Sequence, residues 1–275
     1  MRKRLKRSAR FPARKFDAAS RPLAPTGEVF FCGDPHGVFD HIVAAARAYK
    51  PAAMVLLGDM QPSAPIDEIL AEITAFTDIW WIPGNHDTDS DYIYDRLFRS
   101  GLSDRNLNGR VQSIAGIKIA GLGGVFRGQI WMPPGLPNYQ SGPDFVRRMG
   151  RANLWRGGLP RRHRSSIFPS TYANLCRMRA DVLVTHEAPA CHPNGFLAID
   201  SLAQSMGVSY LFHGHQHEDC HYPPYFGYTV RSVGYRGIVT LAGEDVVAAQ
   251  IDPRLSPLYE PPEGQAIPSV FKRLG

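Results

Sequence analysis

Short apolar runs alternate with amphipathic stretches along the first hundred residues of the chain. Three apolar runs of strand length predict buried strands at 28–32, 52–57 and 79–82. Stretches with apolar residues at helical spacing predict helices at 38–49, 66–76 and 91–100. The order strand, helix, strand, helix, strand is typical of an α/β protein in which helices pack on a largely parallel sheet.

The alternation is less regular in the rest of the chain. Further strands are predicted at 111–114, 117–121, 182–185, 209–212, 228–232, 237–241 and 246–251, and helices at 170–179 and 197–206. Residues 123–168 are rich in Gly, Pro and Arg and predict a long loop region with no more than one helix. A loop of this length in a compact domain is usually functional or mobile.

Composition and charge divide the chain into three segments. With 275 residues and 44% hydrophobic residues, the chain can bury a sizeable core, which excludes a disordered protein. We expect one domain over residues 25–252, with an arginine-rich insertion near 125–168. A basic arm (1–24) precedes the domain and a proline-rich segment (253–275) follows it. No apolar run reaches the ~18 residues of a membrane span, and no apolar stretch follows the basic start, so neither a membrane span nor a secretory signal is expected.

The net charge of +6 is concentrated in two places. Residues 1–15 hold eight basic residues and no acidic one, and residues 145–180 hold nine arginines and no acidic one. The rest of the chain is acidic. The arm therefore predicts contact with a polyanion or a nucleic acid, with an organellar transit peptide as the less favoured interpretation.

The four cysteines form no C-x-x-C pair, and a chain of this size does not need disulfide bonds for its stability. We interpret them as reduced thiols that pack as small hydrophobic side chains. This use of cysteine predicts a cytoplasmic protein.

Polar side chains follow five of the predicted strands at the point where each strand ends. In chain order they are Asp34 and His36; Asp59; Asn85, His86 and Asp87; His186; and His215 and His217. Taken singly, each has an ordinary explanation, because a Gly-Asp pair is often a turn and a lone histidine is more often a surface residue than a ligand. However, the carboxyl ends of the strands in an open α/β sheet meet at one crevice. Five segments that deliver Asp, Asn and His to one crevice predict a metal site.

The residue types indicate which metals this site would bind. Carboxylate, imidazole and amide groups suit Mn, Fe, Zn or Ni, and the lack of cysteine among them argues against a structural zinc site. We expect Asp34-x-His36 to be an extended segment from which both side chains project toward one ion, and His215-x-His217 repeats this spacing. Two divalent ions about 3.5–4 Å apart would clamp a phosphate group and generate hydroxide near neutral pH.

The series G-D-x-H, G-D, G-N-H-D, H and G-H-x-H, in this order between residues 33 and 217, resembles the calcineurin-like metallophosphoesterases. The resemblance implies an α/β fold in which helices flank a two-sheet β-sandwich. It implies that one ion is held by Asp34, His36, Asp59 and His217. The second ion would be held by Asp59, Asn85, His186 and His215, so that Asp59 bridges the two.

The same resemblance implies the roles of the remaining motif residues. His86 would donate a proton to the leaving oxygen, and Asp87 would orient His86. Imidazole suits this task because it exchanges protons near neutral pH. A hydroxide that bridges the two ions would be the nucleophile, without a covalent intermediate on the enzyme.

The substrate is less well defined by the sequence. The run G-D-P-H-G resembles the first motif of the Ser/Thr protein phosphatases and diadenosine tetraphosphate hydrolases, but residues 58–63 lack the arginine of their second motif, G-D-x-x-D-R-G. Arginines of the insertion could replace it, because guanidinium binds phosphate in fork geometry. The candidates are Arg127, Arg147 and Arg148, and the alternative for each is a solvated basic face.

We therefore expect a hydrolase of phosphate esters or anhydrides that uses two divalent metal ions and acts on a phosphorylated substrate of undetermined class. A phosphodiesterase or nuclease is the alternative within enzymes, and the basic arm favours it. A non-catalytic scaffold on the same fold is the alternative from another class, but such a protein is expected to lose ligands or the proton donor.

Overall fold

The structure, a computed structural model, describes residues 27–224 and 226–255. The predicted basic arm (1–24) and residues 256–275 of the predicted proline-rich segment lie outside the described residues. Among the described residues, no helix has the length and apolar character needed to cross a membrane.

The described residues contain eleven strands. They are β1 (Val29–Cys32), β2 (Ala53–Leu56), β3 (Asp78–Trp81), β4 (Arg110–Ile114), β5 (Ile117–Leu122), β6 (Val182–Thr185), β7 (Tyr210–His213), β8 (Cys220–His221), β9 (Thr229–Ser232), β10 (Ile238–Thr240) and β11 (Asp245–Val247). Nearly all of them coincide with the predicted apolar runs, although β11 is shorter than its prediction. The short strand β8 was not predicted, because its two residues show no hydrophobic pattern.

These strands form two mixed sheets, and the parallel pairing predicted from the first hundred residues is found among β1, β2 and β3. The first has the order β11-β10-β1-β2-β3 and the second has the order β4-β5-β6-β7-β9-β8. In the first sheet, β2 pairs in parallel with β1 on one side and with β3 on the other. In the second sheet, the neighbours β5, β6, β7 and β9 are parallel. Antiparallel strands close three of the four edges, which the sequence pattern of single strands does not indicate.

The described residues contain six α-helices: α1 (Asp40–Tyr49), α2 (Ile66–Ile69), α3 (Asp91–Phe98), α4 (Gly142–Arg148), α5 (Pro169–Leu175) and α6 (Leu197–Met206). All but α4 pack on the outer faces of the two sheets. The helix predicted at 66–76 is α-helical only over α2. Beyond it the amides of residues 71, 73 and 76 bond to the third residue before them and those of 74 and 77 to the fourth, so the chain continues as irregular turns. The β-branched Ile73 and Thr74 lower the helix propensity of this segment.

Apolar side chains from both sheets fill the space between them. Side chains alternate along β1, so Val29 and Phe31 belong to the cluster between the sheets while Phe30 and Cys32 pack against the helices. The ring of Phe31 stacks on Phe212 of β7, with ring centroids 3.9 Å apart and planes at 6°. This packing confirms the α/β fold with a two-sheet β-sandwich flanked by helices.

The insertion near 125–168 folds against the domain instead of forming an irregular loop. Helix α4 and three-residue to five-residue 3₁₀ helices at Arg151–Asn153 and Arg161–Ser165 lie within it. Ile130, Phe145 and Phe168 form a small core of their own. Ion pairs from Arg156 to Asp91 and Asp95 attach the insertion to α3. The insertion is therefore held beside the carboxyl end of β3.

Candidate metal centre

The predicted ligands lie where the two sheets bring their parallel strands to a common end. Asp34 and His36 follow β1, Asp59 follows β2, and Asn85 follows β3 of the first sheet. His186 follows β6, and His215 and His217 follow β7 of the second sheet. The two sheets stack face to face, so the loops from both meet at one edge of the sandwich. Asp34, Asp59 and His186 are buried there.

The backbone of these loops is left-handed where we expected an extended segment. The φ angles of Asp34 and His36 are 28° and 43°, that of Asp59 is 51°, and those of His215 and His217 are 70° and 59°. The prediction that Asp34-x-His36 is extended is therefore wrong. For residues other than glycine the left-handed region costs roughly 1–2 kcal/mol per residue. Such strain is characteristic of functional sites, where surrounding contacts fix the backbone.

One group of ligand atoms comes from both sheets. Atoms of Asp34, His36, Asp59 and His217 lie within 4.8 Å of one another. The Nε2 atoms of His36 and His217 are 3.0 Å apart. Two nitrogens bound at right angles to an ion at about 2.1 Å would be separated by about 3.0 Å, so this spacing fits two ligands of one ion.

A second group shares Asp59 with the first. Atoms of Asp59, His186 and His215 lie within 4.8 Å of one another. The Nε2 atom of His186 is 3.4 Å from Oδ2 of Asp59 and 3.1 Å from Oδ1 of Asn85. The structure therefore brings together all seven predicted ligand residues in two adjacent groups, and it divides His215 and His217 between them.

Each of three histidines makes a second contact that directs its Nε2 atom into the site. The Nδ1 atom of His186 donates to the carbonyl of Leu57 at 2.8 Å. The Nδ1 atom of His36 lies 2.6 Å from Oε1 of Gln61, and that of His217 lies 2.5 Å from Oδ2 of Asp252. Hydrogen bonds of this kind fix the ring orientation and tautomer of metal-binding histidines. The fixed rings and the inward direction of their Nε2 atoms both fit a metal site.

Burial and mutual contact set the charges of these groups. Burial lowers the pKa of His36 to about 4 and that of His215 to about 3, so both rings are neutral at pH 7 and have a free lone pair. Burial raises the pKa of Asp34 to about 6. Burial opposes the charged forms of Asp59 and His186, but their attraction outweighs it, lowering the pKa of Asp59 and raising that of His186 to about 10. A divalent ion would displace the proton of His186, so metal affinity rises with pH.

Glycines before the ligands allow the close approach of these loops. A Cβ atom on Gly84 would lie 2.1 Å from Oδ1 and 2.3 Å from the backbone nitrogen of Asp59. A Cβ atom on Gly58 would lie 2.5 Å from Nδ1 of His186. Any side chain at either position would displace a ligand.

His86 lies at the open side of the site, and its partner differs from the predicted one. Its side chain is 38% exposed, and its Nδ1 atom lies 2.6 Å from Oδ2 of Asp89. Asp87 is buried and accepts hydrogen bonds from the backbone nitrogens of Gly84, Met60 and Gln61 at 2.8–3.1 Å. The prediction that Asp87 orients His86 is therefore wrong, because Asp87 joins the loops after β2 and β3 and Asp89 contacts the ring.

Comparison with known proteins agrees with this geometry. A family model described as calcineurin-like phosphoesterase matches residues 28–219. The chain belongs to the calcineurin-like phosphoesterase family. The matched span includes all five loops that carry the predicted ligands.

One relative and two solved structures differ in their sequence identity to this phosphoesterase and in the share of the chain that they cover. An uncharacterized protein of Haemophilus influenzae is 44% identical over 215 residues, which cover 78% of this chain and 94% of the relative. One crystal structure matches with a TM-score of 0.50 at 11% identity, covering 80% of this chain and 97% of the other. The 5'-nucleotidase of Candida albicans matches with a TM-score of 0.43 at 14% identity, covering 77% of this chain and 46% of the other.

The three predicted substrate arginines of this calcineurin-like phosphoesterase lie in different surroundings. Arg127 lines a cavity together with Asn85, next to the predicted ligands. Arg147 and Arg148 are exposed and pair with Asp144 on their own helix, α4. These two arginines are absent from the lining of that cavity, and their role as substrate-binding residues stays a prediction. The composition of the insertion does not show which of its arginines face the site.

Several residues that contact the predicted ligands or His86 were not predicted from the sequence. Three of them are Gln61, Asp89 and Asp252. Asp252 also accepts hydrogen bonds from Arg254, whose Nη2 atom lies 3.5 Å from Nε2 of His36. The predicted domain end at residue 252 separates these two residues, although they act together. Asp89 follows His86 by three residues within one helical turn, and this spacing was the available signal.

Replacing Gly84 by alanine tests the packing of the phosphoesterase ligands. Gly84→Ala is expected to displace Asp59 and to weaken metal binding by at least tenfold, because the added Cβ meets backbone as well as carboxylate atoms. The measurement is a metal titration by calorimetry. Gly128→Ala is the control, since a Cβ there meets nothing within 4 Å. Equal affinities for the two variants would contradict the close approach of Gly84 to Asp59.

Asp252→Asn tests the contact that orients His217. An amide can still accept a hydrogen bond from the His217 ring, but it lacks the negative charge that makes this ring a stronger metal ligand. Metal affinity should therefore fall about 10- to 100-fold. Asp78→Asn is the control, because Asp78 is exposed at the opposite end of β3. Unchanged affinity with a normal thermal transition would show that Asp252 has no part in the metal centre.

Proposed function

We propose that this protein is a metal-dependent hydrolase of phosphate esters or anhydrides that binds two divalent ions, drawn from Mn, Fe, Zn and Ni. The single observation that carries the proposal is the sharing of Asp59 by two adjacent groups of ligand atoms. Asp34, His36, Asp59 and His217 would hold one ion. Asp59, Asn85, His186 and His215 would hold the other. Two ions at this spacing would hold the phosphoryl oxygens and activate water for attack on phosphorus.

His86 is the proton donor in this proposal. Its ring lies 5.7 Å from the ring of His36, at the open side of the site. Because Nδ1 contacts Asp89, Nε2 is the atom available to a substrate. A carboxylate on one ring nitrogen fixes the orientation of the ring. Nε2 would donate its proton to the oxygen that leaves phosphorus, so the leaving group departs as a neutral hydroxyl.

Asp87 contributes to this chemistry through the backbone. Its two carboxylate oxygens accept from the loops after β2 and β3, so it holds Asp59 and Asn85 at a constant distance. The backbone nitrogen of His86 donates to Oδ1 of Asp59 at 2.8 Å. These bonds tie the proton donor to the shared ligand.

The alternative activity is that of a phosphodiesterase or nuclease, and the eight basic residues in positions 1–15 favour it. Binding of a polyanion by this arm is a proposal that rests on the sequence alone. The free thiols of the four cysteines support a reducing compartment such as the cytoplasm. A non-catalytic scaffold is less well supported, since the ligands and His86 are brought together at one accessible site.

His86→Ala separates proton donation from metal binding. The variant is expected to keep its bound metal but to lose about 100- to 10,000-fold in turnover of an alkyl phosphate, whose leaving group needs a proton. The loss should be much smaller with para-nitrophenyl phosphate, whose leaving group departs without one. The measurements are metal content and turnover of both substrates, with His221→Ala as the control on the exposed strand β8.

Two results would contradict these roles. Loss of metal from His86→Ala would make His86 a ligand. Equal losses on both substrates would show that His86 binds the phosphoryl oxygens instead of donating a proton. Failure of the metal-loaded wild type to hydrolyse either substrate, a diester or a nucleic acid would overturn the proposed function.

A further inference from the structure

We propose that a cavity beside the metal centre binds a second phosphate group on the leaving-group side of the substrate, so that the substrate is a phosphoric anhydride. The inference rests on the proposed function. The cavity has a volume of about 340 Å³ and is lined by Asn85, Thr88, Asp89, Arg127, Arg161 and Arg162. The three arginines of this cavity lie outside the five family motifs.

The position of the cavity relates it to the leaving group. Asn85 lines the cavity, and its Oδ1 atom lies 3.1 Å from Nε2 of His186 in the second ligand group. Asp89 also lines the cavity and contacts Nδ1 of His86. The cavity therefore extends from a proposed metal ligand to the residue that contacts the proton donor. A phosphoryl group held by the ligands would have its leaving group beside this cavity.

The cavity carries positive charge that no ion pair neutralises among the described residues, although the carboxylates of Asp89, Glu187 and Asp59 act on Arg127 from a longer distance. Among residues 27–224 and 226–255, neither Arg127 nor Arg162 forms an ion pair with a carboxylate, whereas Arg147, Arg148, Arg156 and Arg161 do. Burial and the nearby charge of Arg162 lower the pKa of Arg127 to about 10, which leaves Arg127 protonated at pH 7. Asp89 provides a negative charge here, but His86 engages it. Two like charges in one cavity favour an anion between them.

The guanidinium group of Arg127 is fixed by the protein at one nitrogen. Its Nη1 atom donates to the carbonyl of Ser165 at 2.7 Å and to Oγ of Ser166 at 3.1 Å. Its Nε and Nη2 atoms make no hydrogen bond to the described residues. Guanidinium binds phosphate through two parallel N–H groups, and these two nitrogens provide that fork. The partly buried, preoriented side chain indicates a binding site rather than a solvated surface.

Arg161 closes the wall of the cavity and has a different role. Its Nε atom donates to the carbonyl of Thr88 at 2.9 Å and its Nη2 atom to the carbonyl of Asp89 at 2.8 Å. It also pairs with Asp91 of α3. Arg161 therefore positions the insertion, whereas Arg127 and the exposed Arg162 remain available to a ligand.

The reaction follows from this placement. In a nucleoside diphosphate, the terminal phosphoryl group would lie at the ligands and the inner phosphate in the cavity. Water oxygen bonds to the terminal phosphorus, and the bond from that phosphorus to the bridging oxygen breaks. The bridging oxygen leaves with the nucleoside monophosphate and receives its proton from His86, while a water proton passes to solvent. The two arginines offset the charge of the departing monophosphate.

Kinetics with ADP and AMP test the inference, because the two differ by one phosphate. In metal-loaded wild type, kcat/KM should be higher for ADP than for AMP. Arg162→Ala should lower the ratio of the two kcat/KM values about tenfold or more, since one charge-assisted hydrogen bond to phosphate is lost. Arg162→Lys should restore part of the ratio. Arg179→Ala, on the exposed surface before β6, is the control and should leave it unchanged.

Binding of a non-hydrolysable analogue gives a readout independent of turnover. By calorimetry, α,β-methylene-ADP should bind wild type more tightly than AMP does, and Arg162→Ala should remove about tenfold of that preference. Equal binding of the two ligands, or an unchanged preference in Arg162→Ala, would overturn the second phosphate site. If para-nitrophenyl phosphate is hydrolysed in that case, the proposed function stands and only the anhydride preference fails.

Discussion

The buried carboxylate of Asp59 lies where the loops of both sheets meet, and the remaining polar groups of the site are arranged around it. Its oxygens lie 3.8 Å from the His36 ring and 3.4 Å from the His186 ring, which come from different sheets. The backbone of His86 donates to it. A charged group without water requires compensation by nearby positive charge and hydrogen bonds. Two groups of ligand atoms that share Asp59 supply the geometry for compensation by divalent ions.

The surrounding loops keep a strained backbone conformation that holds this carboxylate in place. Five of the seven proposed ligands have left-handed backbone angles, and Gly84, the first residue of the third motif, leaves no room for a side chain. Asp87 ties the loops after β2 and β3, and Asp252 fixes the ring of His217 from the far end of the domain. Metal binding would stabilise this strained arrangement, so we expect site order and metal occupancy to be coupled.

Sequence reasoning found the ligands because their position follows from a general rule. Parallel strands end at a common edge, so Asp59 and His186 could be placed together from their positions after apolar runs alone. Their division between two ions came from the family resemblance. The prediction of an extended backbone at Asp34 and His36 was wrong, because left-handed angles depend on packing between the sheets. The roles of Asp87 and Asp89 likewise depend on how two loops contact each other.

The arginines show the same limit. Arg127 and Arg147 are equivalent in a charge pattern, yet one lies beside Asn85 and the other pairs with Asp144 on the surface. Their different positions become visible only in the folded structure of the insertion. Asp252 lies outside the motif-bearing span and contacts His217 over 35 residues, so no local pattern indicates it.

Anomalous diffraction from crystals grown with Mn²⁺ tests the central claim, that two ions share Asp59, most directly. Data collected near the manganese absorption edge should show two peaks about 3.5–4 Å apart, one on each side of the Asp59 carboxylate. The first peak should contact His36 and His217, and the second should contact Asn85, His186 and His215. A single peak at saturating Mn²⁺, or two peaks of which one does not contact Asp59, would contradict the account.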